Sequence, residues 1–360
     1  MRELSHQLWL GLKSLLQKET SPDGFHRALS IETSEQKEVI VTSAGPHNCG
    51  GRCMAKIHVL EGVITRITTD PAMGSPEEPA LKSCLRCRSY RNRQYHPDRL
   101  KYPMRRIGTR GEGRFERISW EEACDIIARQ IERISTEYGR EALYINYATG
   151  NAGVLSGVNF MRRLLALGGG YLNYYNNYSN PCATWAMNYT YGDQNTGSSR
   201  EDWLNSKLIL LWGFNPAETV FGTNTMYYLR LARERGTRVV VIDPRYTDTA
   251  SALADEWIAV RPTTDNALMD AMAYVMIQEN LQDQAFLDRF CLGFDEAHMP
   301  ADIPSGNSYK SYILGLGQDA TAKTPAWAEE ITGVPRDTIV KLAREYALSK
   351  PAALVCGYEI

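Results

Sequence analysis

Short apolar runs alternate with helical repeats over the last two thirds of the chain. Residues 208–212 are apolar throughout, and residues 238–242 and 256–260 are nearly so. A helical pattern over about 224–235 separates the first two runs and ends at Gly236. Continuous apolar strands with helices between them predict a parallel sheet that is covered on both faces.

A polar loop follows each of these three strands. The loops contain Asn215 with Pro216, Asp243 with Arg245, and Asp265. Ligands of parallel sheets bind beyond the carboxyl ends of the strands. We therefore expect the three loops to share one ligand crevice.

The pattern before residue 105 is different, with short β-like pieces among Cys, Gly and Arg. Residues 56–60 and 63–68 flank a Glu61-Gly62 turn, which predicts a hairpin. A capping box, Ser119 to Glu122, then predicts the start of an amphipathic helix. The predicted fold class is α/β, a small Cys-rich β domain followed by doubly wound, mostly parallel sheet domains. We expect an N-terminal extension (1–40), a Cys-rich domain (41–105) and an α/β region (106–360).

Composition and charge narrow the function classes. The 360 residues carry a net charge of -2, but residues 82–117 hold twelve Lys or Arg against three acids. That segment is expected to meet an anionic group. A nucleic-acid binder using Tyr90, Tyr95 and Tyr102 for stacking would leave the apolar strands and their loops unexplained, so we expect no nucleic acid. No apolar run reaches the ~20 residues of a membrane-spanning helix, and we expect no direct membrane insertion.

Four of the eight cysteines lie in the first quarter of the chain, as Cys49, Cys53, Cys84 and Cys87. A chain of this length does not need disulfides to fold, which favours a metal or cluster site. Four thiolates suit an iron-sulfur cluster and tetrahedral zinc equally well from spacing alone. Ordinary buried thiols are the third alternative.

Several segments resemble the catalytic subunits of anaerobic dimethyl sulfoxide reductases, which are molybdopterin-guanine-dinucleotide oxidoreductases. The resemblance runs from about residue 40 to the last residue, and its motifs occur in the family's order. They are residues 49–53 (CGGRC), 84–86 (CLR), 95–104 (YHPDRLKYPM), 111–120 (GEGRFERISW), 169–175 (GGYLNYY), 212–219 (WGFNPAET), 242–245 (IDPR) and 261–265 (RPTTD).

The resemblance implies a [4Fe-4S] cluster in residues 41–105. Cys49, Cys53 and Cys84 match three of the family's four cluster ligands. The fourth ligand lies four residues before Cys49 in the family, where this chain has Gly45. Cys87 stands where the family has glycine, so it is a candidate for the missing thiolate. A three-iron cluster, or none, remains open.

The resemblance also implies molybdenum held by molybdopterin guanine dinucleotide in residues 106–360. Ser179 matches the serine that ligates molybdenum in this branch, and Cys182 would be the softer ligand of other branches. Arg86 matches the basic residue between cluster and pterin. The cofactor-binding candidates are Asn215, Glu218, Thr219, Asp243, Arg245 and Asp265. Thr263 departs from the family, which has glycine there.

The implied function is reduction of an S-oxide or N-oxide by oxygen-atom transfer, with electrons delivered through the cluster. An iron-sulfur electron-transfer subunit and a membrane anchor subunit are the implied partners. The alternative is a non-catalytic metal-binding module or an inactive fragment, since the family's catalytic subunits are much longer and the chain looks truncated. The first twenty residues lack a twin-arginine signal, so we expect a cytoplasmic location by default, although family members are often periplasmic or membrane-associated.

Overall fold

The structure is a computed structural model that describes residues 38–44, 53–69, 81–146, 157–175, 181–193, 197–220 and 224–356. The chain divides into two compact units, residues 1–192 (unit 1) and 193–360 (unit 2). The finer subdivision near residues 40 and 105 stays a prediction. None of the helices in the described ranges combines the length and apolar character that a membrane crossing needs.

The described part of unit 1 contains an antiparallel sheet of three strands in the order β1-β2-β3. The strands are β1 (Val39–Ala44), β2 (Met54–Leu60) and β3 (Val63–Thr69). Glu61 and Gly62 join the last two in left-handed conformations, with φ of 51° and 78°. The predicted hairpin is confirmed.

The other helices and strands in the described part of unit 1 are smaller. They are helices α1 (Leu85–Arg88), α2 (Tyr90–Gln94), α3 (Trp120–Glu137), α4 (Gly157–Leu167) and α5 (Pro181–Thr190), the antiparallel pair β4 (Met104–Arg106) and β5 (Phe115–Arg117), and the parallel pair β6 (Tyr144–Ile145) and β7 (Leu172–Asn173).

Of the two hydrogen bonds of the predicted capping box at the start of α3, the structure has the one to the Ser119 hydroxyl. The Ser119 hydroxyl accepts a hydrogen bond from the Glu122 backbone N–H at 3.1 Å. The Glu122 carboxylate instead accepts from the Arg105 guanidinium at 2.7 Å. The helix therefore starts where the sequence predicts, and Glu122 ties it to β4.

Unit 2 contains a parallel sheet in the order β10-β9-β8-β11. Its strands are β8 (Leu208–Trp212), β9 (Arg238–Ile242), β10 (Glu256–Ile258) and β11 (Ala352–Cys356). The helices are α6 (Thr225–Glu234), α7 (Asp248–Leu253), α8 (Asp265–Gln278), α9 (Gln284–Phe290), α10 (Tyr309–Leu314), α11 (Pro325–Thr332) and α12 (Arg336–Leu348). The predicted parallel sheet is confirmed, and β11 was not predicted.

Strand β8 lies at the centre of the apolar core, with all five residues buried. Leu208, Leu210 and Trp212 belong to one buried cluster with residues of α8, α11 and α12. Ile209 and Leu211 belong to the other, with residues of α6 and α7. Because side chains alternate along a strand, the all-apolar run predicts this two-sided burial. The parallel pairing also places the carboxyl ends of the four strands at one edge.

Candidate functional site

The loop after β8 is held by Asn215 and Thr249. The Thr249 hydroxyl, fully buried, donates to Asn215 Oδ1 at 2.7 Å, and the Thr249 backbone N–H donates to the same atom at 3.3 Å. The Ala217 backbone N–H donates to the Thr249 hydroxyl at 3.0 Å. Asn215 Nδ2 then donates to Glu218 at 2.9 Å. The loop thus has a defined shape before any ligand binds.

The loop after β9 meets the first loop through Arg245. Its guanidinium lies 3.5 Å from the Glu218 carboxylate, and both side chains are largely exposed. Asp243 Oδ1 accepts from the Arg245 backbone N–H at 2.9 Å, and Trp257 Nε1 donates to the Asp243 carbonyl at 2.9 Å. An exposed ion pair contributes at most about 1 kcal/mol, so Arg245 can exchange Glu218 for an anionic ligand at little cost.

Asp265, the first residue of α8 after the loop that follows β10, contacts the last residue of β8. Trp212 Nε1 donates to Asp265 Oδ1 at 2.8 Å. The pKa of the Cys356 thiol, at the end of β11, is raised by loss of solvation and then by the Asp265 carboxylate. Arg261 has a structural role, because it donates to the carbonyls of Glu330 and Ile331 at the end of α11.

The structure brings the three predicted loops together at the carboxyl edge of the sheet. Their carboxylates and amide oxygen can accept hydrogen bonds from ribose hydroxyls or base N–H groups, and their guanidinium can donate to phosphate. The individual binding roles of Asn215, Glu218, Thr219, Asp243, Arg245 and Asp265 stay predictions. The sequence pattern does not predict the support that these loops receive from Thr249 and from the Trp212–Asp265 hydrogen bond. The only local signal for this role of Thr249 is that a small polar residue stands at the second position of α7.

In unit 1, Cys53 and Cys87 lie in contact. Their sulfur atoms are 3.6 Å apart, and both residues are buried. Cys84 is half-buried, and the three sulfur atoms do not all lie within 4.8 Å of one another. Cys49, Gly45 and Ser179 are outside the described residues. Of the three candidate ligand thiols that the structure describes, it brings together those of Cys53 and Cys87. Cys84 caps the start of α1, the short helix that contains Cys87.

Backbone contacts explain why these thiols meet. The Met54 N–H donates to the Leu81 carbonyl at 2.9 Å, and Met54 forms a parallel bridge with Lys82. The hydroxyls of Thr69 and Ser83 are 2.8 Å apart, and the Ser83 N–H donates to Thr69. Residues 81–83 are therefore fastened to β2 and β3 immediately before the Cys84–Cys87 segment.

The segment that contains Cys84 and Cys87 is strongly basic. Helices α1 and α2 contain no acidic residue in their first turns, and Arg86, Arg88, Arg91 and Arg93 are exposed on them. Cations near buried thiolates reduce the cost of their negative charge. Arg86 is exposed two residues after Cys84, and its role between cluster and pterin stays a prediction.

Comparison with known proteins gives consistent results. The family profile described as Molybdopterin oxidoreductase matches residues 99–355. Dimethyl sulfoxide reductase DmsA of Escherichia coli (strain K12) is 49% identical over 344 residues, covering 92% of this chain and 42% of that protein. The dimethyl sulfoxide/trimethylamine N-oxide reductase of Rhodobacter capsulatus is 31% identical, covering 74% of this chain and 33% of that protein.

The fold comparison agrees. Acetylene hydratase from Pelobacter acetylenicus superposes with a TM-score of 0.58 at 24% identity, covering 86% of this chain and 39% of that chain. The chain therefore spans less than half the length of these relatives. The profile match extends over most of the chain and includes all three strand-end loops. The chain belongs to the molybdopterin oxidoreductase family, a family of enzymes whose cofactor is molybdenum bound by molybdopterin.

Proposed function

We propose that this chain is part of a molybdenum-dependent oxidoreductase that reduces an S-oxide or an N-oxide by oxygen-atom transfer. The substrate accepts two electrons and two protons, its S–O or N–O bond breaks, and the oxygen leaves as water. The cofactor supplies the two-electron chemistry when bound. The names of two relatives, dimethyl sulfoxide reductase and dimethyl sulfoxide/trimethylamine N-oxide reductase, support this substrate class.

The observation that carries the proposal is the meeting of the three loops at the carboxyl edge of the sheet. Asn215 contacts Thr249, Glu218 faces Arg245, and Trp212 holds Asp265. We propose that Asn215, Glu218 and Thr219 face the pterin or a phosphate. Asp243, Arg245 and Asp265 would bind the ribose, the pyrophosphate and the guanine edge of molybdopterin guanine dinucleotide.

The remaining roles extend from the same proposal. Ser179 would ligate molybdenum through its hydroxyl oxygen, with Cys182 as the competing ligand. A [4Fe-4S] cluster bound by Cys49, Cys53 and Cys84 would deliver the electrons, and the positive charge of Arg86 would favour their arrival at the cofactor. An iron-sulfur subunit and a membrane anchor subunit are the proposed partners, and the cytoplasmic location stays a prediction.

The proposal is tested by the molybdenum and guanine nucleotide content of the anaerobically purified chain. We expect both in the wild type and a large loss of nucleotide in Arg245→Ala. The alanine side chain cannot replace the charged hydrogen bonds that the guanidinium would donate to a phosphate. Arg235→Ala is the matched control, since Arg235 is exposed beyond α6 and away from the loops. A folded wild type that contains neither molybdenum nor nucleotide would contradict the proposal.

A structural zinc site is the competing function, and one observation favours it. Two thiolates on one tetrahedral ion with bonds of about 2.3 Å lie about 3.8 Å apart, close to the 3.6 Å between Cys53 and Cys87. Metal analysis separates the two functions, because zinc without molybdenum would support the metal-binding module.

A further inference from the structure

We propose that Trp212 is a positioning residue that fixes the Asp265 carboxylate for the guanine edge of the cofactor. This inference rests on the proposed function, which gives the guanine edge to Asp265. It adds that Trp212, acting through Asp265 and without touching the base, sets how strongly the site prefers guanine to a base that lacks the 2-amino group.

Trp212 is held rigidly at the carboxyl edge of the sheet. It is the last residue of β8, and its backbone lies between Ile242 of β9 and Cys356 of β11. Its side chain is 5% exposed and belongs to one apolar cluster with Leu268 and Ala271 of α8. Close packing of this kind keeps a side chain in one rotamer. The indole N–H therefore points in a fixed direction.

Asp265 is held at the first position of α8 by the loop before it. The Arg261 N–H donates to the Thr332 carbonyl at 2.9 Å, and the Thr264 hydroxyl donates to the Arg261 carbonyl at 2.7 Å. Trp212 Nε1 then donates to Asp265 Oδ1 at 2.8 Å across 53 residues of sequence. Asp265 is half-buried, so a ligand can still reach it. The indole thus fixes the rotation of a carboxylate whose backbone is already anchored.

The fixed carboxylate matches guanine in particular. A carboxylate accepts at about four lone-pair positions, and the indole occupies one of them. Guanine presents its N1–H and its 2-amino group side by side, so the two oxygens can accept both in parallel. Hypoxanthine presents the N1–H without the amino group. A freely rotating carboxylate can meet a single N–H, whereas two parallel bonds need its plane to be fixed before the ligand binds.

The test measures the affinities of GDP and IDP by calorimetry on the full chain, produced in cells that cannot make molybdopterin. These probes of the nucleotide half of the cofactor differ by the 2-amino group. We expect the wild type to bind GDP about tenfold more tightly than IDP, or more. Trp212→Phe should lower this ratio about fivefold. Trp203→Phe, which alters a buried tryptophan of the other apolar cluster, is the matched control and should keep the ratio.

A double-mutant cycle separates positioning from a general structural role. Asp265→Asn should bring the ratio close to one, because an amide presents one acceptor oxygen beside an NH2 group. Adding Trp212→Phe to Asp265→Asn should then leave the ratio unchanged. A purely structural role of Trp212 would weaken GDP and IDP equally and keep the ratio in both backgrounds.

Four results contradict the inference. They are a wild type that binds neither probe, a wild type without preference for GDP, a wild-type ratio in Trp212→Phe, and a further change of the ratio when Trp212→Phe is added to Asp265→Asn. If Trp212→Phe does not fold, replacement of Trp212 by 3-benzothienylalanine, which keeps the shape of the indole without its N–H, decides by the same ratio. Molybdenum and nucleotide in the purified wild type report on the proposed function independently, so their presence with any of these results counts against Trp212 alone.

Discussion

The two units of the chain achieve order by different means. In unit 2, β8 is buried along its whole length and packs on both faces against helices. In the described part of unit 1, α3 has eighteen residues and buries none of them fully. The buried apolar cluster in this part of unit 1 is small and consists of Leu143, Ile145 and Leu165. The other buried apolar residues among those described in unit 1 are Cys53, Ala55, Ile67 and Cys87.

This difference indicates where bound groups matter most. Unit 2 can draw its stability from apolar burial, at about 25 cal/mol per Å². The described part of unit 1 depends more on strand hydrogen bonds, because its half-exposed ion pairs, such as Arg105 with Glu116 and Glu122, contribute little. Because the free energy of metal binding adds to the free energy of folding, unit 1 would gain more from a cluster than unit 2.

Substitutions that shorten an apolar side chain should show the difference between the two units most strongly. We expect Leu210→Ala to lower the free energy of unfolding by about 2–5 kcal/mol, because Leu210 is fully buried in β8. Ile127→Ala in α3 should change it by less than about 0.5 kcal/mol, since Ile127 is 49% exposed. Urea denaturation followed by circular dichroism measures both. Equal losses from the two substitutions would show that unit 1 has an apolar core of similar weight.

The loop contacts of unit 2 should give the next largest effect. Thr249→Val removes the hydroxyl that bonds Asn215 and Ala217. The Ala217 N–H loses this partner and Asn215 Oδ1 keeps only the Thr249 backbone N–H, at a cost of about 1–3 kcal/mol. Its guanine nucleotide content should also fall. Ser251→Ala, an exposed hydroxyl two residues on, is the control for both measurements. Wild-type stability and nucleotide content in Thr249→Val would argue that the loop needs no such support.

A polar cluster in unit 2 should make its stability depend on pH, with a smaller effect because the carboxylate is exposed. Hydrogen bonds from Ser308, Ser311 and the Gly306 N–H lower the pKa of Glu296 from 4.5 to about 2. A lowered pKa contributes stability above pH 4.5 that is lost as the pH falls toward 2. Melting temperatures of wild type and Glu296→Gln should therefore converge over that range. Glu330→Gln should run parallel to wild type, and parallel curves for Glu296→Gln would contradict the cluster.

The smallest expected effect concerns Thr263, which precedes α8 with a φ of 67°. A left-handed conformation costs a β-branched residue about 1–2 kcal/mol, and glycine avoids this cost. Glycine also loses more chain entropy on folding, which offsets about 0.5–1 kcal/mol of the benefit. We expect Thr263→Gly to raise the free energy of unfolding by about 0.5–1 kcal/mol in thermal denaturation. Thr264→Gly, at a φ of -111°, should lower it. Destabilisation by Thr263→Gly would mean that contacts of the threonine outweigh its strain.

The strands of unit 2 show what local sequence can predict. Residues 208–212 and 238–242 are continuous apolar runs, and the structure has β8 and β9 with those bounds. The third strand ends at Ile258, two residues before the predicted end. Strand β11 escaped prediction because a short run such as Ala352–Cys356 fits a helix end as well as a strand. Its pairing with β8, far away in sequence, decides the matter.

The sequence by itself determined which residues form strands and loops and which side chains with chemical capability stand at the loop positions, because apolar periodicity and turn residues act over a few neighbours. Only the tertiary structure decided which of those side chains meet. Trp212 bonds Asp265 across 53 residues, and Cys53 reaches Cys87 across 34. Such contacts depend on how distant segments pack, and no local pattern encodes that packing.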